Sequence, residues 1–174
     1  MGEQLGEVTI RTADTGDAAE IARVHVASRR GAYTGIVSAD YLAALDPAAR
    51  EPEWAEYLRV GPEEGVRTWV AWGDGQALGF ASLGPSRDED ADRGDQEIYS
   101  IYLDPRTWGH GVARNLMRTI LAELPPAARV SLWVLAQNER ARHFYRRHGF
   151  CSDGTERLQE FGGEELLEIR FRRR

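Results

Sequence analysis

In some segments of the chain the hydrophobic residues recur every three or four positions, as in helices, and in others they alternate with polar residues, as in strands. Alternating or continuous apolar runs predict strands over residues 8–11, 66–72, 77–83, 97–103, 130–135, 150–157 and 165–171. Apolar residues three and four apart predict helices after Asp14, from Ser38, and over residues 52–59, 109–124 and 138–148. The order β, several α, β-β-β, α, β, α, β-β predicts a mixed α/β domain, with residues 1–174 as a single domain.

Turn residues mark the ends of these elements. Residues 73–76 have the sequence of a hairpin turn, and Gly149 stands where the glycine after a helix C-terminus is expected. Residues 84–96 are rich in Gly, Asp and charge, which predicts a hairpin connection of disordered character rather than a domain boundary. Residues 97–103 are apolar on both faces, which indicates a central strand.

Composition narrows the class of protein. The chain has 174 residues, of which 42% are hydrophobic and 29% charged, as in an ordinary soluble domain. No apolar run reaches the ~20 residues of a membrane span, and the N-terminus lacks the features of a secretory signal. Cys151 is the only cysteine, so no internal disulfide forms; we expect a small buried residue and a cytoplasmic protein.

The net charge and the types of basic residue limit the partners and reactions that are expected. The net charge of −6 argues against nucleic acid as a partner and hints at cationic amine substrates. The chain contains no lysine, which excludes lysine Schiff-base chemistry and the Walker phosphate loop.

A glycine-rich turn joins a predicted strand to a predicted helix. Residues 104–117 read DPRTWGHGVARNLM, with Gly109, Gly111 and Ala113 at alternate positions. Small residues at a helix start leave backbone N–H groups accessible to a phosphate, although an ordinary tight turn would use glycine as well. A dinucleotide-binding fingerprint is disfavoured, because Arg114 occupies its third glycine position.

Two sequence blocks resemble the GNAT superfamily of N-acetyltransferases, and the similarity covers nearly the full length. In the first, residues 103–105 (LDP) are followed by residues 108–113 (WGHGVA), similar to the family's strand end and Q/R-x-x-G-x-G/A turn. Trp108 departs from this motif, standing where glutamine or arginine is usual. In the second, residues 132–150 (LWVLAQNERARHFYRRHGF) resemble the family's strand, Asn-x-x-A-x-x-F-Y helix and Gly-Phe turn.

The resemblance implies a GNAT-like acyl-CoA N-acyltransferase fold, a mixed, mostly antiparallel sheet flanked by helices. It implies acetyl-CoA as cosubstrate, with the pyrophosphate on the N–H groups of residues 109–114 and the pantetheine arm paired to the main chain of a splayed strand. The residues that it assigns to acetyl-CoA are Ile101, Tyr102, Leu103, Trp108, Gly109, His110, Gly111, Val112, Ala113, Arg114 and Asn138.

The resemblance also implies transfer of an acetyl group to a primary amine of a small molecule or peptide. Tyr145 matches the family's general acid, and Asn138 and Tyr145 share one helix face. Glu97 is the candidate base, with a water relay or an exposed structural carboxylate as alternatives. Tyr99 is interpreted as a packed aromatic in preference to a residue that holds a water, and His25 as a structural histidine in preference to one that lines the acceptor pocket.

Arg29, Tyr33 and Tyr41 are the candidates for the acceptor side, where the family varies most. No metal is expected, since His143 and His148 lack ligand spacing on a helix. Homodimers are common in the family, so the resemblance allows a homodimer here. A non-catalytic acyl-CoA-binding or regulatory module and an enzyme for longer acyl donors are the alternative hypotheses.

Overall fold

A computed structural model describes residues 6–173. Residues 1–5, where a signal segment was not expected, lie outside the described residues. The helices are α1 Ala18–Ala32, α2 Ala39–Ala44, α3 Pro47–Val60, α4 Val112–Ala122 and α5 Glu139–Arg147. The strands are β1 Thr9–Thr12, β2 Arg67–Gly73, β3 Gln76–Pro85, β4 Gln96–Leu103, β5 Val130–Leu135, β6 Phe150–Phe161 and β7 Glu164–Arg173.

The seven strands form one mixed sheet in the order β1-β2-β3-β4-β5-β7-β6. All neighbours are antiparallel except β4 and β5, which α4 connects as a parallel pair. This mostly antiparallel sheet flanked by helices confirms the predicted fold class.

Helices cover both faces of the first half of the sheet. Because side chains alternate along a strand, Val70 and Phe80 pack with α1 and α3 on one face. Trp69 and Ala81 are in the core on the other face, where the apolar side of α4 buries Leu116 and other residues. β2 and β3 therefore bury both of their faces. β4, which the apolar pattern predicted as a central strand, is the fourth of the seven strands, although several of its residues are only partly buried.

A third apolar cluster joins distant parts of the chain beside β5. Val26 of α1 and Leu42 of α2 meet Leu135 at the end of β5 and Phe161 at the end of β6. This contact holds the tip of the β6–β7 hairpin next to the end of α1, where the site described below lies.

Several predicted boundaries are wrong, and those of α3 and of the last two strands have identifiable reasons. The third helix begins at Pro47 rather than Pro52, because the Asp46 carboxylate accepts a hydrogen bond from the Ala48 N–H and caps an earlier turn. The last two strands extend to Phe161 and Arg173, around a two-residue glycine turn in which both residues have positive φ.

Cys151 is exposed on the edge strand β6, so the expectation of a buried thiol is wrong. Its neighbour Phe150 points into the core instead, because successive strand residues face opposite sides of the sheet. Within residues 6–173, no helix combines the length and the apolar character that crossing a bilayer requires.

Candidate active site

The sheet opens between its two parallel strands. Residues 96–98 of β4 pair with residues 130–132 of β5, and the ladder ends there although both strands continue. The gap is a cleft of about 400 Å³, with residues 97–103 on one wall and residues 133–135 and the start of α5 on the other. Main-chain groups of β4 therefore face a cavity instead of a neighbouring strand.

The glycine-rich turn lies at the end of β4, before α4. Gly109 and Gly111 both have positive φ (85° and 81°), and Gly111 is the N-cap of α4. In the described part of the chain no side chain caps this helix, and its first internal hydrogen bond runs from the Asn115 N–H to the Gly111 carbonyl. The N–H groups of residues 112–114 thus remain available to a ligand. The His110 N–H is engaged, because it donates to the Thr107 carbonyl at 3.2 Å.

Replacing Gly111 with valine is expected to weaken acetyl-CoA binding at least tenfold. A Cβ at this position would lie 3.4 Å from Arg114 Nη2, and a φ of 81° strains any L side chain, so the turn must move. A shift of the turn would displace the N–H groups at the start of α4. Calorimetric titration of acetyl-CoA measures the effect.

Gly94→Val is the matched control. Gly94 also has positive φ (100°), with no described atom within 4 Å of an added Cβ, but it precedes β4 at the opposite end of the strand. It carries similar backbone strain without touching the turn. Equal loss of affinity in both variants would mean that the Gly111 effect is general destabilisation.

Asp104 links the glycine-rich turn to α1. Its carboxylate is 3% exposed and forms ion pairs with Arg23 (2.8 Å) and Arg106 (2.6 Å). Burial alone would raise the pKa of Asp104, but hydrogen bonds from Arg106 and Arg23 outweigh burial and hold it at about 2.

The depressed pKa of Asp104 predicts a specific loss of stability in acid. An unfolded aspartate has a pKa of about 3.9, so the ionised carboxylate stabilises the fold above pH 4. That contribution is lost as the pH falls from about 4 to 2. In Asp104→Asn we expect a lower free energy of unfolding at pH 6 and a flatter decline below pH 4, measured by urea unfolding across pH. The exposed Asp40→Asn is the control and should leave the wild-type profile unchanged.

Asn138 and Tyr145 bring α5 into the cleft. The Asn138 side chain accepts a hydrogen bond from the Ala141 N–H at 3.1 Å, which caps α5, and all three residues line the cavity. The Tyr145 ring packs edge-on against Phe144 and Phe150, with centroids 5.5 and 6.1 Å away. Burial and, secondarily, the nearby Tyr102 raise the pKa of Tyr145, so its hydroxyl keeps its proton at neutral pH.

Glu97 lies at the narrow end of the cleft and is almost fully buried. Both of its carboxylate oxygens are occupied by Arg87, which donates from Nη2 at 2.5 Å, from Nε at 3.2 Å and from its backbone N–H at 3.0 Å. The Arg87 guanidinium also stacks 3.9 Å from the centroid of the Tyr99 ring. Arg87 therefore engages both oxygens of Glu97, a pairing that nothing in the sequence around either residue predicts.

Arg29, Tyr33 and Tyr41 meet where the end of α1 and the start of α2 line the cleft. Arg29 Nη1 donates to the Tyr41 hydroxyl at 3.2 Å. Phe161, from the tip of the β6–β7 hairpin, packs edge-on against Tyr33 at 5.9 Å. Sequence reasoning missed Phe161, because its neighbours on α1 are more than a hundred positions away.

Trp108 and Arg140 face each other across the cleft. The Arg140 guanidinium lies 3.5 Å from the centroid of the Trp108 ring, and burial lowers the pKa of Arg140. Gly31 of α1 approaches so closely that a Cβ there would lie 3.1 Å from the same indole. Arg140 was not predicted, although it follows Asn138 by two positions.

His25 has a structural role, in agreement with the interpretation from sequence. The Trp54 indole N–H donates to His25 Nδ1 at 3.1 Å, so this nitrogen serves as an acceptor. Burial, followed by the positive charges of Arg29 and Arg50, lowers the pKa of His25 to about 3, and the ring is neutral at physiological pH.

The structure brings most of the predicted residues together. Those that line the cleft are Arg29, Tyr33, Tyr41, Glu97, Ile101, Tyr102, Leu103, Trp108, Ala113, Asn138 and Tyr145. The remaining ones form the turn and the start of α4, namely Gly109, His110, Gly111, Val112 and Arg114. Val112 points into the core, so only its backbone N–H is available there.

Comparison with known proteins identifies relatives of this chain. The profile of the Acetyltransferase (GNAT) family matches residues 33–150. The uncharacterized N-acetyltransferase YuaI of Bacillus subtilis is 35% identical over 134 residues, which cover 75% of this chain and 73% of YuaI. The probable N-acetyltransferase Rv2775 of Mycobacterium tuberculosis is 30% identical over 150 residues, which cover 84% of this chain and 82% of Rv2775.

A solved structure has the same fold. The PaiA N-acetyltransferase of Thermoplasma acidophilum, crystallised with coenzyme A, superposes with a TM-score of 0.74 at 18% identity, over 94% of this chain and 98% of PaiA. Both the sequence matches and the opened sheet lead to the same assignment. The chain belongs to the GNAT family of acetyltransferases.

Proposed function

We propose that this enzyme transfers the acetyl group of acetyl-CoA to a primary amine of a small molecule or peptide. The observation that carries the proposal is the convergence of three features in one cleft. These are the unpaired edge of β4, the uncapped start of α4 and the protonated Tyr145 hydroxyl.

The residues around the cleft fit acetyl-CoA. The N–H groups at residues 111–114 would hold the pyrophosphate, supported by the positive end of the α4 dipole. The main chain at Ile101 and Leu103 would pair with the amides of the pantetheine arm, with Asn138 on the opposite wall. When bound, acetyl-CoA supplies an acetyl group activated as a thioester.

The reaction needs two proton transfers, one to the departing sulfur and one from the amine, and residues of this chain assist both. Tyr145 Oη donates a proton to the departing sulfur, since a buried and protonated phenol is available there at neutral pH. The amine must lose a proton before it can react. Because Arg87 occupies both oxygens of Glu97, we favour the water relay, with Glu97 ordering the water rather than taking the proton itself.

The test is a thiol-release assay with acetyl-CoA and a panel of polyamines, aminoglycosides, amino acids and peptides with free N-termini. We expect one class to release coenzyme A, and acetyl-CoA to raise the melting temperature. Failure of acetyl-CoA to bind would refute the proposal. Binding without thiol release on any acceptor would instead favour the non-catalytic module.

A further inference from the structure

Arg29 carries a positive charge into the acceptor end of the cleft. It lies near the end of α1, and its guanidinium carbon is 5.9 Å from the centroid of Tyr33 and 5.6 Å from that of Phe161. Its hydrogen bond to the Tyr41 hydroxyl is with a neutral group. Three aromatic side chains thus enclose one guanidinium, and much of its surface is removed from water.

Arg29 has no counterion in the protein as described. Among residues 6–173 no carboxylate lies within 4.0 Å of it, and its buried Nε atom makes no hydrogen bond. Arg87, which lines the same cleft, is neutralised by Glu97 at 2.5 Å. Glu160 also lines the cleft, but it lies beyond ion-pairing distance of Arg29. Removing a guanidinium from water without pairing it raises the free energy of the folded protein. An anion that binds there would supply the missing partner.

Arg29 shares one cavity with the proposed proton donor. Arg29, Tyr102 and Tyr145 all line it, and the phenol of Tyr102 adds to the effect of burial in raising the pKa of Tyr145. A small acceptor with its amine beside Tyr145 would therefore occupy the same cavity as Arg29.

We propose that Arg29 binds the carboxylate of the acceptor, which is a small amino carboxylate such as a free amino acid. This inference rests on the proposed acetyl transfer and names the class of its amine substrate. A guanidinium matches a carboxylate with two parallel hydrogen bonds, and the aromatic neighbours offer apolar surface to a side chain. The net charge of −6 favours cationic amines as acceptors. The acceptor, however, would contact the positive charge of Arg29 inside the cleft, which favours a substrate with a carboxylate.

The experiment compares amino acids with their primary amides in the thiol-release assay, and adds spermidine. Each pair has the same side chain and differs in the carboxylate. In the wild-type protein we expect kcat/KM to be at least tenfold higher for the preferred amino acid than for its amide. In Arg29→Met we expect at least a tenfold loss for the amino acid and a much smaller loss for the amide, so that the preference disappears.

Two further measurements separate recognition from misfolding. Arg29→Met should bind acetyl-CoA with wild-type affinity, since Arg29 lies away from the start of α4. In the wild-type protein, 3-phenylpropionate should compete with the acceptor at least tenfold better than 3-phenylpropionamide. This comparison needs no variant, and equal inhibition by the two compounds would overturn the proposal.

The remaining outcomes are decisive in different ways. Acetylation of spermidine but of no amino acid would overturn the carboxylate proposal and leave the proposed acetyl transfer intact. An unchanged preference for the carboxylate in Arg29→Met would also overturn it. Acetyl-CoA binding without thiol release on any amine would overturn both proposals.

Discussion

Tyr145→Phe is expected to lower kcat about 100-fold while the Kd for acetyl-CoA stays unchanged. The substitution removes only the Oη atom, and the ring remains packed against Phe144 and Phe150. Burial raises the pKa of Tyr145, which keeps the proton in place for delivery to the departing sulfur. A positioned general acid typically contributes about 10²–10⁴-fold to the rate.

The measurement is the single-turnover rate of thiol release, because slow product release would hide an effect on the chemical step. Tyr57→Phe is the matched control. Tyr57 is half-buried on α3, burial likewise raises its pKa, and it lies outside the cleft. A wild-type rate in Tyr145→Phe would eliminate Tyr145 as the acid, and an equal loss in Tyr57→Phe would point to a general effect on packing.

The largest effect on stability is expected for Arg170→Met, which should lower the free energy of unfolding by about 3 kcal/mol. Arg170 is 4% exposed and binds three carboxylates, with Nη1 at 2.5 Å from Asp90 and 3.3 Å from Asp88 and Nε at 2.7 Å from Asp153. Removing the guanidinium leaves the three carboxylates with Arg172 as their remaining cation, which lies 3.0 Å from Asp90 and 3.1 Å from Asp153 but does not pair with Asp88. Urea unfolding at pH 7 measures the loss.

The difference between wild type and Arg170→Met should shrink in acid. Hydrogen bonds from Arg170 hold the pKa of Asp90 below its ordinary value, so the wild-type protein loses this contribution as the pH falls below about 4. Arg129→Met is the matched control. Arg129 pairs with Asp92 and Asp95 of the same loop but is about half exposed, so we expect no measurable change. Similar losses in both variants would show that burial of Arg170 does not decide the effect.

Local sequence was sufficient to predict the parts of the site that depend on helix geometry. The glycine-rich turn before α4 was predicted from its small residues, although the predicted helix began at residue 109 and α4 begins at Val112. The shared face of Asn138 and Tyr145 was predicted from helical spacing. Both predictions involve residues within two turns of one another, so they needed no knowledge of how the elements pack.

Long-range contacts could not be predicted in this way. Residues 84–96 have the composition of a disordered hairpin connection, and they do connect β3 to β4. Their acidic side chains, however, are held by Arg170 of β7 and by Trp133 of β5, whose indole N–H donates to Asp88 at 2.9 Å. Similarly, Phe161 meets Arg29 only because the β6–β7 hairpin folds back onto α1. In both cases the residues near each contact in the sequence do not indicate which distant residue it will meet.

The strand order affects the order in which parts of the sheet can form during translation. β7 follows every other element along the chain, yet it lies between β5 and β6 and is the partner with which β6 pairs. On a ribosome, β6 therefore emerges as a long strand that has to wait for its neighbour, exposed to other chains in the meantime. Because β6 pairs with β7, we expect Phe161 to reach its place beside Arg29 only after β7 has been made, later than the other described residues of the cleft.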